Sequence, residues 1–276
     1  MLRYDLHCHS KRSDGVLAPA AVVKRAAARG VDVLALTDHD GIAGLDEARQ
    51  AAIECGIRLV DGAELSVTWE VHTLHVVALG IDPANATLVE GLEGVRHGRI
   101  ERARRMADAL AEAGIAGTFE GALGYVTDAG LIARTHFARH LVDAGYAPEI
   151  KDVFKRFLTP GKPGFVPHTW AGLTQAIGWI HGAGGQAVLA HPGRYKVTTT
   201  GMRRLLETFR AAGGDAIEVL SPSHTRAQVA EFATLARVHR LLGSCGSDFH
   251  APGEGRLDIG DLPPLPVGVM PVWTHW

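Results

Sequence analysis

The sequence predicts an α/β fold, a parallel sheet or barrel with its helices outside, carrying one helical insert. Three observations predict it. Short apolar runs of strand length alternate with helix-length segments. Polar loops rich in histidine follow the strands rather than the helices. The rhythm breaks once, near residue 96, and resumes near residue 166.

Arg3 to His9 alternates like a strand and runs into the polar loop Ser10 to Gly15. Pro19 opens a helical stretch, Ala20 to Arg29, which Gly30 can close in a left-handed conformation. Val31 to Leu36 is a second strand, followed by the loop Thr37 to Gly41. Leu45 to Cys55 reads as a helix closed by Gly56, and Ile57 to Val60 as a third strand. Two β-rich runs, Glu64 to Trp69 and Thr73 to Leu79, flank Glu70-Val71-His72 and predict a hairpin. Thr87 to Gly114 is helical and charged. Arg96, Arg99, Arg102, Arg104 and Arg105 crowd it, with spaced apolar positions at Ile100, Met106 and Leu110. The arginine run reads as a solvated helix face, as charge runs usually are.

Gly117 to Gly164 shows no β/α alternation. Phe137, His140 and Leu141 suggest one short helix, Lys151 to Leu158 another, and Thr159 to Gly164 is a turn-rich boundary. We read 96–165 as a helical cap insert, and 1–95 with 166–276 as the main unit. The rhythm then resumes with helix Leu173 to Gly182, strand Gln186 to Ala190, helix Met202 to Ala212, strand Ala216 to Leu220, helix Gln228 to His239 and strand Leu241 to Ser244. That gives about seven strands around one sheet. The tail from Leu262 to Trp276 is apolar and rich in proline, and nothing in its pattern assigns it a role.

A chain of 276 residues suits one large domain with a smaller insert. With 28 Lys and Arg against 30 Asp and Glu, the net charge of -2 argues against a basic face that coats duplex DNA. Cys8, Cys55 and Cys245 are scattered and odd in number, which predicts no disulfide framework and a reducing, cytoplasmic compartment. The first residues lack the apolar core of a signal peptide, and no run of about 18 apolar residues predicts a membrane span.

The histidines carry the chemistry. His7 and His9 end the first strand, His39 follows the second, and Glu64 and His75 lie in the hairpin region. His191 ends a later strand, Asp248 and His250 follow the last, and Asp14 sits in the first loop. In a β/α barrel these strand ends open on one face, so residues far apart in sequence converge there. His-x-His on one strand puts both imidazoles on the same side, because side chains alternate with period two. Asp248 and His250 repeat that spacing, and Cys8 between the first pair reads as a small buried residue. Six imidazoles and three carboxylates exceed one ion's needs and suit two or three. Nitrogen and oxygen donors without thiolate suit Mn, Fe or Zn.

Asp38 and Asp40 flank His39 and read as turn or supporting residues rather than ligands. Arg194, three residues after His191, and Arg134, in the insert, are candidates for pairing with phosphate. His224 follows the sixth strand and is a candidate for phosphate contact or proton transfer. His72, His97, His168, His181, His239 and His275 read as structural or exposed.

Asp5-Leu6-His7-Cys8-His9-Ser10, Leu36-Thr37-Asp38-His39-Asp40, Glu64, His191-Pro192-Gly193-Arg194 and Ser247-Asp248-Phe249-His250 resemble the PHP family, named for polymerase and histidinol phosphatase. Ile132 to His140 and Leu158 to Pro163 resemble the branch of nucleoside 3′,5′-bisphosphate phosphatases and RNase AM-type 5′-to-3′ exoribonucleases. The resemblance implies a distorted seven-stranded (β/α) barrel, TIM-barrel-like, with a small helical cap. It implies one ion on His7, His9, Glu64 and Asp248, a second on Glu64, His75 and His191, and a third on Asp14, His39 and His250. Some branches of the family carry histidine where this chain has Asp14.

The function so implied is metal-dependent phosphoester hydrolysis. The metals, probed first as manganese, would act on the 3′-phosphate of a nucleotide, with Glu64, His191, Asp248 and His224 as the catalytic set. Arg134, Thr135, Arg194 and His224 would bind substrate. The substrate would be a nucleoside 3′,5′-bisphosphate, a short 5′-phosphorylated oligoribonucleotide, or both. The alternatives are a histidinol-phosphate-type phosphomonoesterase and a non-catalytic metal-stabilised PHP binding module. All nine ligand positions are filled, which speaks against the second.

Overall fold

The computed structural model describes residues 2–276, apart from the side chain of His275, which therefore lies outside the described residues. Seven strands follow one another around a nearly closed barrel. They are β1 (Tyr4–Asp5), β2 (Val33–Leu36), β3 (Arg58–Trp69), β4 (His72–Leu79), β6 (Gln186–Leu189), β7 (Ala216–Leu220) and β8 (Leu242–Cys245). A two-residue strand, β5 (Ala171–Gly172), pairs beside β3 off this path. Neighbours are parallel except at β4, which runs antiparallel to both β3 and β6. The ends approach through Leu6 N–H, which donates to Cys245 O at 3.0 Å, and through a bridge between Cys8 and Phe249.

Alternation sorts the strand residues onto two faces. Val33 and Ala35, Val77 and Leu79, and Val188 and Ala190 form one apolar cluster inside the barrel. Leu34 and Leu36 face out onto α1 (Pro19–Ala28) and α2 (Leu45–Cys55), meeting Val22, Ala26 and Ala48. The other outward residues meet α7 (Leu173–Gly182), α8 (Thr199–Ala211) and α9 (Arg226–Val238) through Ile177, Phe209 and Phe232. Gly30 and Gly56 end the first two helices at φ 75° and 69°, the left-handed conformation their positions predict.

The apolar tail closes the floor of the barrel. Val272 joins the interior cluster, and Trp273 stacks on Tyr4 with ring centroids 4.0 Å apart. Sequence alone left this segment without a role because its partner, Tyr4, is at the other end of the chain.

The expected third strand and first hairpin strand prove to be one. β3 continues from Arg58 through Asp61-Gly62 to Trp69. Gly62 suggests a break in the sequence, yet here it serves close approach. A Cβ at that position would lie 2.7 Å from Ala78 O and 2.9 Å from Thr37 Cγ2.

α3 (Ala86–Glu112) is a single 27-residue helix. Leu88 and Leu92 pack in the barrel's outer cluster, whereas Ala103, Met106 and Leu110 belong to a separate cluster. That cluster includes Phe137 and Leu141 of α5 (Arg134–Asp143), and α4 (Thr118–Leu123) and α6 (Ile150–Val153) complete it through Ala122 and Val153. Residue 96 thus falls within a continuous helix that serves both clusters.

Candidate metal centre and substrate cavity

Strand direction explains the convergence. The parallel strands present their carboxyl ends at one mouth of the barrel. β4 runs the other way, so its beginning lies at that mouth, and His75 arrives there opposite Ser66. Side-chain alternation then aims the groups inward. Val77 and Leu79 belong to the interior cluster, and His75 shares their face. Val60 faces in, and so does Glu64, four residues on. Ala216 faces in, and with it Glu218.

All nine predicted ligand residues meet around Glu64 and Asp14. His191 Nε2 lies 2.9 Å and His75 Nδ1 3.0 Å from Glu64 Oε1. His39 Nδ1 lies 2.9 Å from Glu64 Oε2, and His9 Nε2 3.5 Å from it. His7 Nε2 is 3.4 Å from Glu64 Oε1 and 3.6 Å from Asp248 Oδ1. On the far side, Asp14 Oδ1 is 3.3 Å from His250 Nε2, 3.8 Å from His39 Nε2 and 3.9 Å from His9 Nδ1. Asp40, His191 and Asp248 hold positive φ of 46°, 27° and 46°. Such strain in residues other than glycine is typical of sites where side chains must be aimed.

The electrostatics favour a cation. Asp14, Glu64, Asp248 and Glu218 are all buried carboxylates. Burial works to protonate Glu64, but His75, His39 and His7 outweigh it and hold its carboxyl well below the usual range. Burial likewise opposes the Asp14 and Asp248 anions, and is outweighed by His250 and His39 for the first and by Arg194 and His7 for the second. Burial pushes the imidazole of His9 down to about 3 and that of His75 down to about 4, whereas at His250 the Asp14 carboxylate outweighs burial and raises the ring to about 9. Among the described residues, seven buried atoms of the cluster make no hydrogen bond: His9 Nδ1, Asp14 Oδ1, His39 Nδ1, Glu64 Oε2, His75 Nδ1, His191 Nδ1 and Asp248 Oδ2. Such atoms are rare in folded proteins without a reason. His39 Nδ1 and Glu64 Oε2 approach to 2.9 Å yet are not aligned to hydrogen-bond. Three sets of ligand atoms lie within 4.8 Å of one another: His9, Asp14, His39 and His250; His7, His9 and Asp248; His39, Glu64 and His75. Divalent cations fit this donor set.

A cavity of about 180 Å³ opens on the cluster. Arg134, Thr135 and Arg194 are among the residues that line it. Arg194 is 46% exposed and its guanidinium pairs with Asp248. His224 does not line the cavity. Its Nδ1 faces Val219 O at 3.1 Å, and its Nε2 accepts from Gly193 N–H at 3.1 Å. With both ring nitrogens engaged, it braces the turn that carries Arg194 and stands beside the cavity rather than in its lining. A residue after a barrel strand can point at the loop beside it as well as at the mouth.

The arginine run is also not simply solvated. Arg104 and Arg105 are exposed, whereas Arg99 is 5% exposed and pairs with Asp40 while donating to Ser66 Oγ at 2.9 Å. Arg99 and Arg102, three apart on α3, share the face that lines the cavity. Burial, and next the charge of Arg134, push the Arg102 guanidinium down to about 9. Arg134 packs over the Phe154 ring at 5.7 Å, and burial and then Arg99 push it down too.

Asp38 and Asp40 are supporting residues. Asp38 accepts from Ser10 N–H at 2.7 Å and from Ser13 Oγ–H at 2.6 Å, and Asp40 accepts from Ser66 N–H at 2.7 Å. Cys8 is fully buried. Glu218 escaped the sequence reading. It accepts from His7 Nδ1–H at 2.7 Å and from His191 N–H at 2.5 Å. Its signal was there: one acid within the apolar strand Ala216 to Leu220.

Residues 5–213 match the PHP domain family. The chain belongs to that family. Its PHP relatives include the 3′,5′-nucleoside bisphosphate phosphatase of Chromobacterium violaceum, 53% identical over 100% of this chain and 96% of that protein. A 5′-3′ exoribonuclease of Haemophilus influenzae is 44% identical over 99% of each. The solved structure of an amidohydrolase from Chromobacterium violaceum, with sulfate bound and no metal, superposes with a TM-score of 0.95 at 53% identity, covering 98% of this chain and 94% of that one. As a full-length PHP relative of a phosphatase and an exoribonuclease, the chain is a hydrolase of phosphoester bonds. Among the described residues no helix is long and apolar enough to cross a membrane.

Proposed function

We propose that this PHP hydrolase cleaves the 3′-phosphate ester of nucleotides that carry a 5′-phosphate. Acting on a nucleoside 3′,5′-bisphosphate it yields the 5′-monophosphate and phosphate. Acting on a short oligoribonucleotide it releases 5′-monophosphates from the 5′ end. The observation that carries this reading is a single cavity lined both by the imidazoles and carboxylates of the cluster and by Arg99, Arg102 and Arg134. The activities named for the two relatives support it.

His7, His9, Glu64 and Asp248 would hold one ion and Glu64, His75 and His191 a second. Asp14, His39 and His250, with His9 in reach, would hold a third. Manganese is our choice among the metals that nitrogen and oxygen donors accept, ahead of iron and zinc. When bound, such ions supply an acidified water nucleophile and polarise the phosphoryl oxygens.

The chain's own residues do the rest. Glu218 orients His7 and the His191 turn. Arg194 reaches from Asp248 toward solvent, where it can pair with an oxygen of the phosphoryl group under attack. Arg134 and Thr135 begin α5, and Arg102 stands near them without a carboxylate partner among the described residues. They are placed to hold the phosphate that is not cleaved, since a buried dianion left unpaired costs several kcal/mol. The reading carries a cytoplasmic location with it, which three unpaired cysteines support.

The test is which phosphate leaves. Incubated with Mn²⁺, adenosine 3′,5′-bisphosphate should give adenosine 5′-monophosphate. Adenosine 3′-monophosphate as the product would overturn the reading.

A further inference from the structure

Helix α5 reaches two places at once. Its first residue, Arg134, lines the cavity, while His136 and Arg139 turn toward the loop that carries Asp14. Arg139 Nη1–H donates to Asp14 O at 2.6 Å, and Arg139 Nη2 pairs with Glu254 Oε2 at 3.2 Å. His136 Nδ1 accepts from Ala133 N–H at 2.9 Å, so its proton is on Nε2, which donates to Ser13 O at 3.1 Å. His136 is fully buried and serves as a fixed strut.

The two loops that Arg139 joins are those of the Asp14 cluster. One carries Asp14. The other leads from Asp248 and His250 to Glu254, and Val16 N–H donates to His250 O at 2.9 Å where the two loops meet. Nothing in the barrel supplies this clamp. Its donors come from the cap, across more than a hundred residues of sequence.

We propose that Arg139, assisted by His136, is a positioning residue that holds the outer cation site of His9, Asp14, His39 and His250 together, so that this site is complete only when the cap is seated. The proposal rests on the reading above that Asp14, His39 and His250, with His9 in reach, hold a divalent ion. It ties substrate recognition to metal loading, because the helix that presents Arg134 to the cavity also fixes the backbone of Asp14.

The experiment is titration of the metal-free full chain with Mn²⁺, followed by calorimetry, with ions per chain counted by elemental analysis after dialysis. The Asp14→Ala variant serves as the reference for loss of the outer site. Arg139→Ala should weaken the Mn²⁺ site that Asp14→Ala removes by about 10- to 100-fold, the usual effect of removing a group that orients a ligand. It should leave the other sites unchanged. Arg139→Lys, which keeps one donor, should recover part of the affinity. Glu254→Gln, at a partly exposed position, removes the second arm of the clamp without opening a cavity, and should weaken the same site in the same direction even if Arg139→Ala fails to fold. An ion lost in Asp14→Ala but retained at full affinity in Arg139→Ala and Glu254→Gln would overturn the clamp alone. No ion lost in Asp14→Ala would overturn the outer site, and the clamp with it.

Discussion

His7 and Glu218 form a buried pair in which the imidazole Nδ1–H donates to the carboxylate at 2.7 Å. The pairing fixes which nitrogen of His7 is free. Nε2 is left facing Glu64, His9 and Asp248. The other oxygen of Glu218 holds the backbone of His191, so one acid aims two neighbouring ligand-type residues, whose rings stack 5.8 Å apart.

Glu218→Gln should therefore impair the site without unfolding the barrel. The amide keeps the shape but loses the charge that favours the Nδ1–H form of His7. Mn²⁺ affinity and kcat should each fall by about 10- to 100-fold. Calorimetric titration and steady-state rates check this, and wild-type values in both would contradict the role assigned to Glu218.

His191→Ala and Asp248→Asn remove proposed ligands outright. Each should leave less than about a tenth of the wild-type rate, because the cluster loses a donor that neighbouring residues do not replace. Rates at saturating Mn²⁺ test this, and activity above that level in both variants would contradict the assignment.

The arginines that line the cavity predict a substrate-dependent effect. Losing one charge-assisted contact costs about 1.5–3 kcal/mol, or roughly ten- to a hundred-fold. Arg134→Ala and Arg102→Ala should lower kcat/KM for adenosine 3′,5′-bisphosphate by about that factor. Hydrolysis of an aryl phosphate, which has no second phosphate, should scarcely change. Equal losses on both substrates would place these arginines at the phosphoryl group that reacts.

The proposed division into a barrel and a 96–165 insert can be tested by replacing the insert with a short linker. The barrel clusters do not depend on the cap's own cluster, so the shortened chain should fold. It should nevertheless melt earlier, because the cut interrupts α3 and removes Arg99 from Asp40. Breaking a buried pair on one side costs about 3–5 kcal/mol. Thermal unfolding and turnover measure both effects. A chain that never folds would make the cap part of the core.

The barrel was legible because its strands and helices differ so plainly in period, and the ligand-type residues because histidines are rare and here mark strand ends. What escaped was governed by direction rather than by composition. His224 and Glu218 both belong to the β7 region, and only the pleat decides that Glu218 faces the cluster. Arg99 and Arg102 share a run with Arg104 and Arg105, and the face each one takes depends on what α3 packs against. The tail's place under the barrel and Arg139's hold on Asp14 are contacts between distant segments, which local pattern does not encode.

The central claim is most directly tested by one comparison with Mn²⁺ present: kcat/KM for adenosine 3′,5′-bisphosphate, for a short 5′-phosphorylated oligoribonucleotide and for histidinol phosphate. The two nucleotide substrates should each exceed histidinol phosphate by at least about tenfold, the worth of one charge-assisted contact to the second phosphate. Both should lose all turnover on chelation. Histidinol phosphate turned over as fast as either nucleotide, or turnover that survives chelation, would contradict the account.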